Sequence, residues 1–175
     1  MTSKIKHLIT FLTLVLVVLL FPSAMRAQTR TFTSQNRDYA LAFPSTNWRA
    51  ITVSGVAHDS TEFMYGDQGL VQMRIRRELV DVGVLPSDLV LRQQRSDRVL
   101  LRGYVKGAEE SFDGRLSGVK YRYEYVNAGR PLAGLIYYLQ ADDRTIYRIE
   151  FSGSLNDLRE LGHETDSIAR SFRLK

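Results

Sequence analysis

The sequence predicts an α+β fold: a mainly antiparallel sheet with two helices packed on it, at about 87–102 and 155–172. Three observations carry this. Alternating strands follow one another through tight turns, which antiparallel neighbours allow and parallel ones do not. Helical periodicity is confined to two stretches, so strands and helices do not alternate as a doubly wound α/β chain requires. The run Val119 to Phe172 supplies two hairpins and then an amphipathic helix, and the chain is organised around it.

At the N-terminus, Met1 to His7 carries Lys4 and Lys6, Leu8 to Phe21 is apolar apart from Thr10 and Thr13, and Pro22 to Ala27 is a short tail. This is the layout of a secretory signal peptide spanning 1–27, and the protein is expected to be exported, periplasmic or secreted. The apolar run would make a helix of roughly 21 Å, short of the roughly 30 Å hydrocarbon core; a retained N-terminal membrane anchor is the alternative. Lys4, Lys6 and Arg26 supply three of the five net positive charges, so overall basicity does not point to nucleic acid. Residues 28–175 have the size of a single domain. With no cysteine, disulfides, a thiolate metal site and a lipid-modified cysteine are excluded.

Arg30 to Thr33 reads as a short strand and Tyr39 to Phe43 as an alternating one stopped by Pro44. Trp48 leads into a strand over Arg49 to Ser54. Thr61 to Tyr65 and Leu70 to Arg77 flank a Gly66–Gly69 turn. Pro86-Ser87-Asp88 opens a helix ended by Gly103, with Leu89, Val99 and Leu100 as its apolar edge and Gln93 and Ser96 interrupting it. A short strand follows near Glu110 to Phe112.

Next, Val119, Tyr121, Tyr123 and Tyr125 alternate with Lys120, Arg122 and Glu124. Asn127-Ala128-Gly129 reads as a three-residue loop, placing Val126 opposite Arg130, Tyr123 opposite Ala133 and Tyr121 opposite Leu135. Asp142-Asp143 turns the chain into a strand over Thr145 to Ser152. Ser154 caps the closing helix, whose inward stripe is Leu155, Leu158, Leu161, Thr165, Ile168, Ala169 and Phe172. On its polar side Asp166 is expected to pair with Arg170.

Little in the chain suggests catalysis. Beyond residue 27 only His58 and His163 remain, with no cysteine and no G-x-S-x-G elbow. Asp142-Asp143, and Glu109-Glu110 with Asp113, lack the spacing of a calcium loop. No cofactor is expected. The features left over are basic and aromatic. Arg92, Arg95, Arg98 and Arg102 share one side of the first helix, and Arg74 and Arg76 alternate outward on a strand. Such a face suits an anionic lipid, an acidic glycan or an acidic protein, unless Asp88 and Asp97 merely make it an ordinary solvated helix. Tyr121 and Tyr123 could add to an interaction surface or be covered by a helix.

The run Tyr39-Ala-Leu-Ala-Phe43-Pro44 followed by Trp48, and a closing helix running into Ser171-Phe172-Arg173, resemble the opening and ending of the PsbP-like superfamily over about residues 31–175. That superfamily includes DcrB-like exported domains and shares its fold with a Ran-binding import factor. The resemblance implies an α/β/α sandwich and a binding or assembly role. No metal-ligand or photosystem-docking residue is matched. The expected function is a non-enzymatic binding or accessory protein, an assembly or interaction factor of the cell envelope whose partner is another envelope or exported protein. Membrane contact is conceivable. The alternative is a small-ligand carrier or sensor with a pocket between helix and sheet.

Overall fold

The computed structural model describes residues 29–34, 38–51 and 60–175. The expected signal peptide, the last residues of the Arg49–Ser54 strand and His58 lie outside the described residues. Strands β1 (Arg30–Thr33), β2 (Tyr39–Phe43), β3 (Trp48–Ile51), β4 (Ser60–Tyr65) and β5 (Val71–Leu79) precede helix α1 (Pro86–Leu100). Four long strands follow: β6 (Val105–Asp113), β7 (Ser117–Asn127), β8 (Arg130–Asp142) and β9 (Thr145–Ser154). Helices α2 (Leu155–Glu160) and α3 (Gly162–Ser171) and strand β10 (Arg173–Leu174) close the chain.

Side-chain alternation gives the central strands two apolar faces. On β8, Ala133, Leu135, Tyr137 and Leu139 enter one core, and Ile136 and Tyr138 enter another. Both faces must therefore be covered. Seven strands pair in the order β3-β4-β5-β9-β8-β7-β6, every pair antiparallel. Because β5 lies mid-sheet and β6 at the edge, the chain must cross between them, and α1 makes that crossing over β7 and β8. After β9, α2 and α3 lie on the opposite face and deliver β10 to a second sheet, β1-β2-β10. The expected α+β architecture, a sheet flanked by helices, is what forms. The separate three-stranded sheet is an addition to it.

Four local expectations are corrected. The β7–β8 loop has two residues: Asn127 faces Arg130, so Tyr123 faces Gly134 and Tyr121 faces Ile136. Ala128 and Gly129 both take positive φ, 49° and 75°, the geometry whose twist suits a two-residue hairpin. An alanine rarely adopts it, which is why the tripeptide reads as a longer loop. The closing helix breaks at Leu161, beside Gly162, a residue costing about 1 kcal/mol relative to Ala within a helix. Ser154 does cap it, its Oγ accepting the Asp157 N–H at 3.1 Å. Strand β6 is nine residues long rather than a short run near Glu110. Finally, Asp166 accepts from Lys120 at 2.8 Å and from the Tyr137 hydroxyl, while Arg170 bonds the Asp113 carbonyl and lies over the Phe112 ring.

The larger core lies under α2, α3 and the small sheet. Trp48, Phe63, Phe151, Phe43 and Phe172 are buried there among edge-on and stacked rings. Its polar atoms are answered: the Trp48 indole donates to Glu164 at 3.0 Å, and the Ala42 N–H to Ser171 Oγ at 2.8 Å.

Candidate functional site: the α1 side of the sheet

Helix α1 has an unusual polarity. Pro86 pre-sets its first turn, and the Asp88 carboxylate accepts the Leu85 N–H at 2.9 Å. Inward it buries Leu89 and Val90, and beyond them Asp97, only 4% exposed. Gln93 donates to Asp97 Oδ1 at 2.7 Å and accepts from Arg148 of β9 at 2.8 Å. Arg148 also meets Glu150 at 3.1 Å and Glu78 at 3.9 Å. Burial pushes the Asp97 carboxyl up; the Gln93 bond and the Arg148 charge offset this only in part. Asp97 Oδ2 and Arg148 Nε have no partner among the described residues.

The expected apolar edge of α1 is therefore corrected. Leu89 packs inward, but Val99 is 82% and Leu100 76% exposed, and Leu91 is 48% exposed. Among them stand Arg92, Arg95, Arg98 and Arg102, all exposed and none in an ion pair or side-chain hydrogen bond among the described residues. Asp97 is turned beneath the helix and Asp88 is engaged at its start, so neither aspartate neutralises this face.

Beside α1, no helix among the described residues covers the same sheet face. Register aligns Ile51, Glu62, Arg74, Glu150, Ile136 and Tyr121 across six strands as one row. The adjacent row includes Gln72, Ser152, Gly134 and Tyr123. Gly134 has no side chain, and a Cβ there would lie 2.2 Å from Tyr123 Cζ. The Tyr123 ring thus leans across β8 and its hydroxyl donates to Glu150 at 3.3 Å. A cleft of about 150 Å³ opens where this ring, Tyr125 and the Glu62–Arg74–Glu150 row meet.

Neither a protein-family model nor a curated protein sequence matches the chain. Solved structures do. Cyanobacterial PsbP (CyanoP) of Synechocystis sp. PCC 6803 superposes with a TM-score of 0.64 at 10% identity, over 88% of this chain and 96% of that one. The Saccharomyces cerevisiae Ran-binding protein Mog1p gives 0.60 at 10% identity, over 85% and 96%. The chain has the PsbP-like/Mog1 fold. LpqN of Mycobacterium tuberculosis, described as involved in cell envelope biogenesis, shares the PsbP-like fold with a TM-score of 0.52 at 12% identity, over 85% and 92%. At such identities the likeness concerns fold and leaves function to the site.

Within this fold the structure sorts the residues singled out from sequence. Arg92, Arg95 and Arg98 share one side of α1, whereas the helix ends at Leu100 and Arg102 lies in the turn beyond it. Arg74 does not join them: its Nε donates to Glu62 at 2.7 Å inside the cleft row. Arg76 is exposed on β5, opposite Arg148. Tyr121 and Tyr123 are corrected as surface residues, at 0% and 5% exposure beneath α1, where burial raises both phenols far above their ordinary range. Tyr121 bonds the Tyr104 hydroxyl there. His163 is exposed on α3. Among the described residues no cluster of three metal-ligating side chains occurs, and no helix is long and apolar enough to cross a membrane. Sequence reasoning missed Glu62, Gln72, Glu150, Ser152 and Tyr125 as neighbours. Alternation put the first four on one face, but the β5–β9 pairing that joins them was not readable.

Proposed function

We propose that this chain is an exported, non-enzymatic binding protein, an assembly or interaction factor of the cell envelope, which docks an acidic protein on the outward face of α1. One observation carries the reading: Arg92, Arg95 and Arg98 on α1, with Arg102 just beyond its end, have no side-chain partners among the described residues, and Leu91 and Val99 are exposed on the same helix. Like charges three and four residues apart on a helix repel one another, a cost of about 0.2–0.5 kcal/mol per pair. Exposed valine and leucine among them add nothing to the solubility of a monomer. Opposite charge plus a small apolar contact relieves both, and arginine suits the centre of such interfaces because its planar fork keeps its donors organised.

Export is supported by the basic start and apolar run of residues 1–21. The printed roles of two proteins sharing the fold, Ran binding for Mog1p and envelope biogenesis for LpqN, fit a binding role. The test is capture by cross-linking in the native compartment, repeated with Arg92, Arg95, Arg98 and Arg102 all changed to Glu. The partner's affinity should fall at least about tenfold, about 1.4 kcal/mol, and wild-type affinity should weaken with added salt. Unfolding should shift by no more than about 0.5 kcal/mol per substitution. Retention of the same partner by the fourfold variant, or binding of the chain to anionic vesicles in place of a protein, would sink the proposal.

A further inference from the structure

The cleft beside α1 offers a second kind of recognition, independent of the arginine face. Its charges are settled inside the protein: Arg74 with Glu62 at 2.7 Å, and Glu150 with Arg148 at 3.1 Å. Four groups around it are not settled. The terminal Nη atoms of Arg74, the Gln72 amide, the Ser152 hydroxyl and the Tyr125 hydroxyl have no protein partner among the described residues. One wall is aromatic, with Tyr125 stacked on Tyr123 at 6.0 Å between ring centroids and 24° between planes. Gly134 makes this wall possible by letting Tyr123 cross β8.

We infer that this cleft binds one neutral polyhydroxylated ring, a pyranose or a cyclitol. Three physical arguments select that class. A free anion would lie beside Glu62 and Glu150, and a cation would compete with two guanidiniums already seated on those carboxylates. A neutral ligand disturbs neither pair. The unanswered groups include donors and acceptors close together, matching hydroxyls that both give and take hydrogen bonds. A volume of about 150 Å³ is that of a cavity able to hold benzene, so one six-membered ring fits. The ring's C–H face lies on Tyr125, its hydroxyls reach Gln72, Ser152 and the Arg74 Nη atoms, and a few convergent polar groups fix its orientation.

Saturation-transfer NMR on the full chain tests this, with methyl β-D-glucopyranoside, methyl β-D-galactopyranoside and myo-inositol as probes at millimolar concentration. At least one should receive saturation, with an affinity lowered about tenfold or more in Gln72→Leu. Gln72 is exposed, so this variant keeps the fold; Ser152→Leu, which fills the cleft, should abolish transfer while leaving the unfolding midpoint near wild type. Cyclohexanol should fail to compete, because a site built for several hydroxyls rejects an analogue that keeps only one. Arg95→Glu should change nothing, separating this site from the α1 face. Absence of transfer to all three probes, transfer unchanged in both variants, or displacement by cyclohexanol or inorganic phosphate would each overturn the inference.

Discussion

The two faces of the seven-stranded sheet are covered in opposite ways. Beneath α2, α3 and the small sheet, rings fill the space from Tyr39 through Trp48 to Phe172, and the polar atoms they carry are met by Glu164, Asp166 and Thr165. Beneath α1, the helix contributes Leu89 and Val90 and then a polar bridge, Asp97–Gln93–Arg148, with Asp97 Oδ2 and Arg148 Nε left unanswered. Apolar burial stabilises by about 25 cal/mol per Å², whereas a buried charge pair often does no better than break even. The first face holds the fold. The second is the more weakly held, no helix among the described residues covers β3, β4 and β5 on its side, and both candidate binding features lie on it.

The contrast breaks first, and by the largest amount, at the dense face. Phe151→Ala should cost about 3–5 kcal/mol in urea unfolding. A loss no greater than that of an α1 contact would erase the distinction. Leu89→Ala, removing one of the two large aliphatic anchors of α1, should cost about 2 kcal/mol, with its effect local. Hydrogen exchange should show α1 amides opening faster while β8 and β9 stay protected; uniform loss across the sheet would mean that α1 is as integral as α2 and α3.

Gly134→Ala should cost about 1–2 kcal/mol, because the new Cβ pushes Tyr123 off β8 and away from Glu150. Intact stability with an unmoved Tyr123 resonance would show the crossing to be dispensable. Asp97→Asn sharpens the contrast most finely, with a gain of about 1 kcal/mol or less at neutral pH. Burial raises the folded-state pKa of Asp97, so the folded protein holds a proton that the unfolded chain has released. The penalty therefore develops as pH rises through the window between the unfolded value of about 3.9 and the raised folded value, and it is absent below that window. The stability difference between Asn and Asp should vanish in acid. A difference that grows in acid would reverse the sign assigned to this group.

Much of this was legible locally. Strand alternation, the Ser154 cap, the Gly66–Gly69 turn and the arginine face of α1 each depend on residues within one or two turns of each other. The seat of α1 was not legible. Leu89, Val99 and Leu100 look like an apolar edge, yet Arg148, fifty-five residues beyond Gln93, draws the Gln93–Asp97 side inward and turns Val99 and Leu100 to solvent. The β7–β8 register also escaped, since it hinged on an alanine taking φ of 49°.

By itself the sequence determined the fold class, the strand and helix types, and the poverty of catalytic groups, because these follow from periodicity and composition. Tertiary structure alone decided which side chains share a site. Glu62 and Arg74 face each other within one hairpin, but Glu150 comes from a strand far along the chain, and only the β5–β9 pairing sets it in one row with them beside Tyr125. The physical reason is that alternation fixes which face a side chain takes, whereas long-range strand pairing fixes its neighbours.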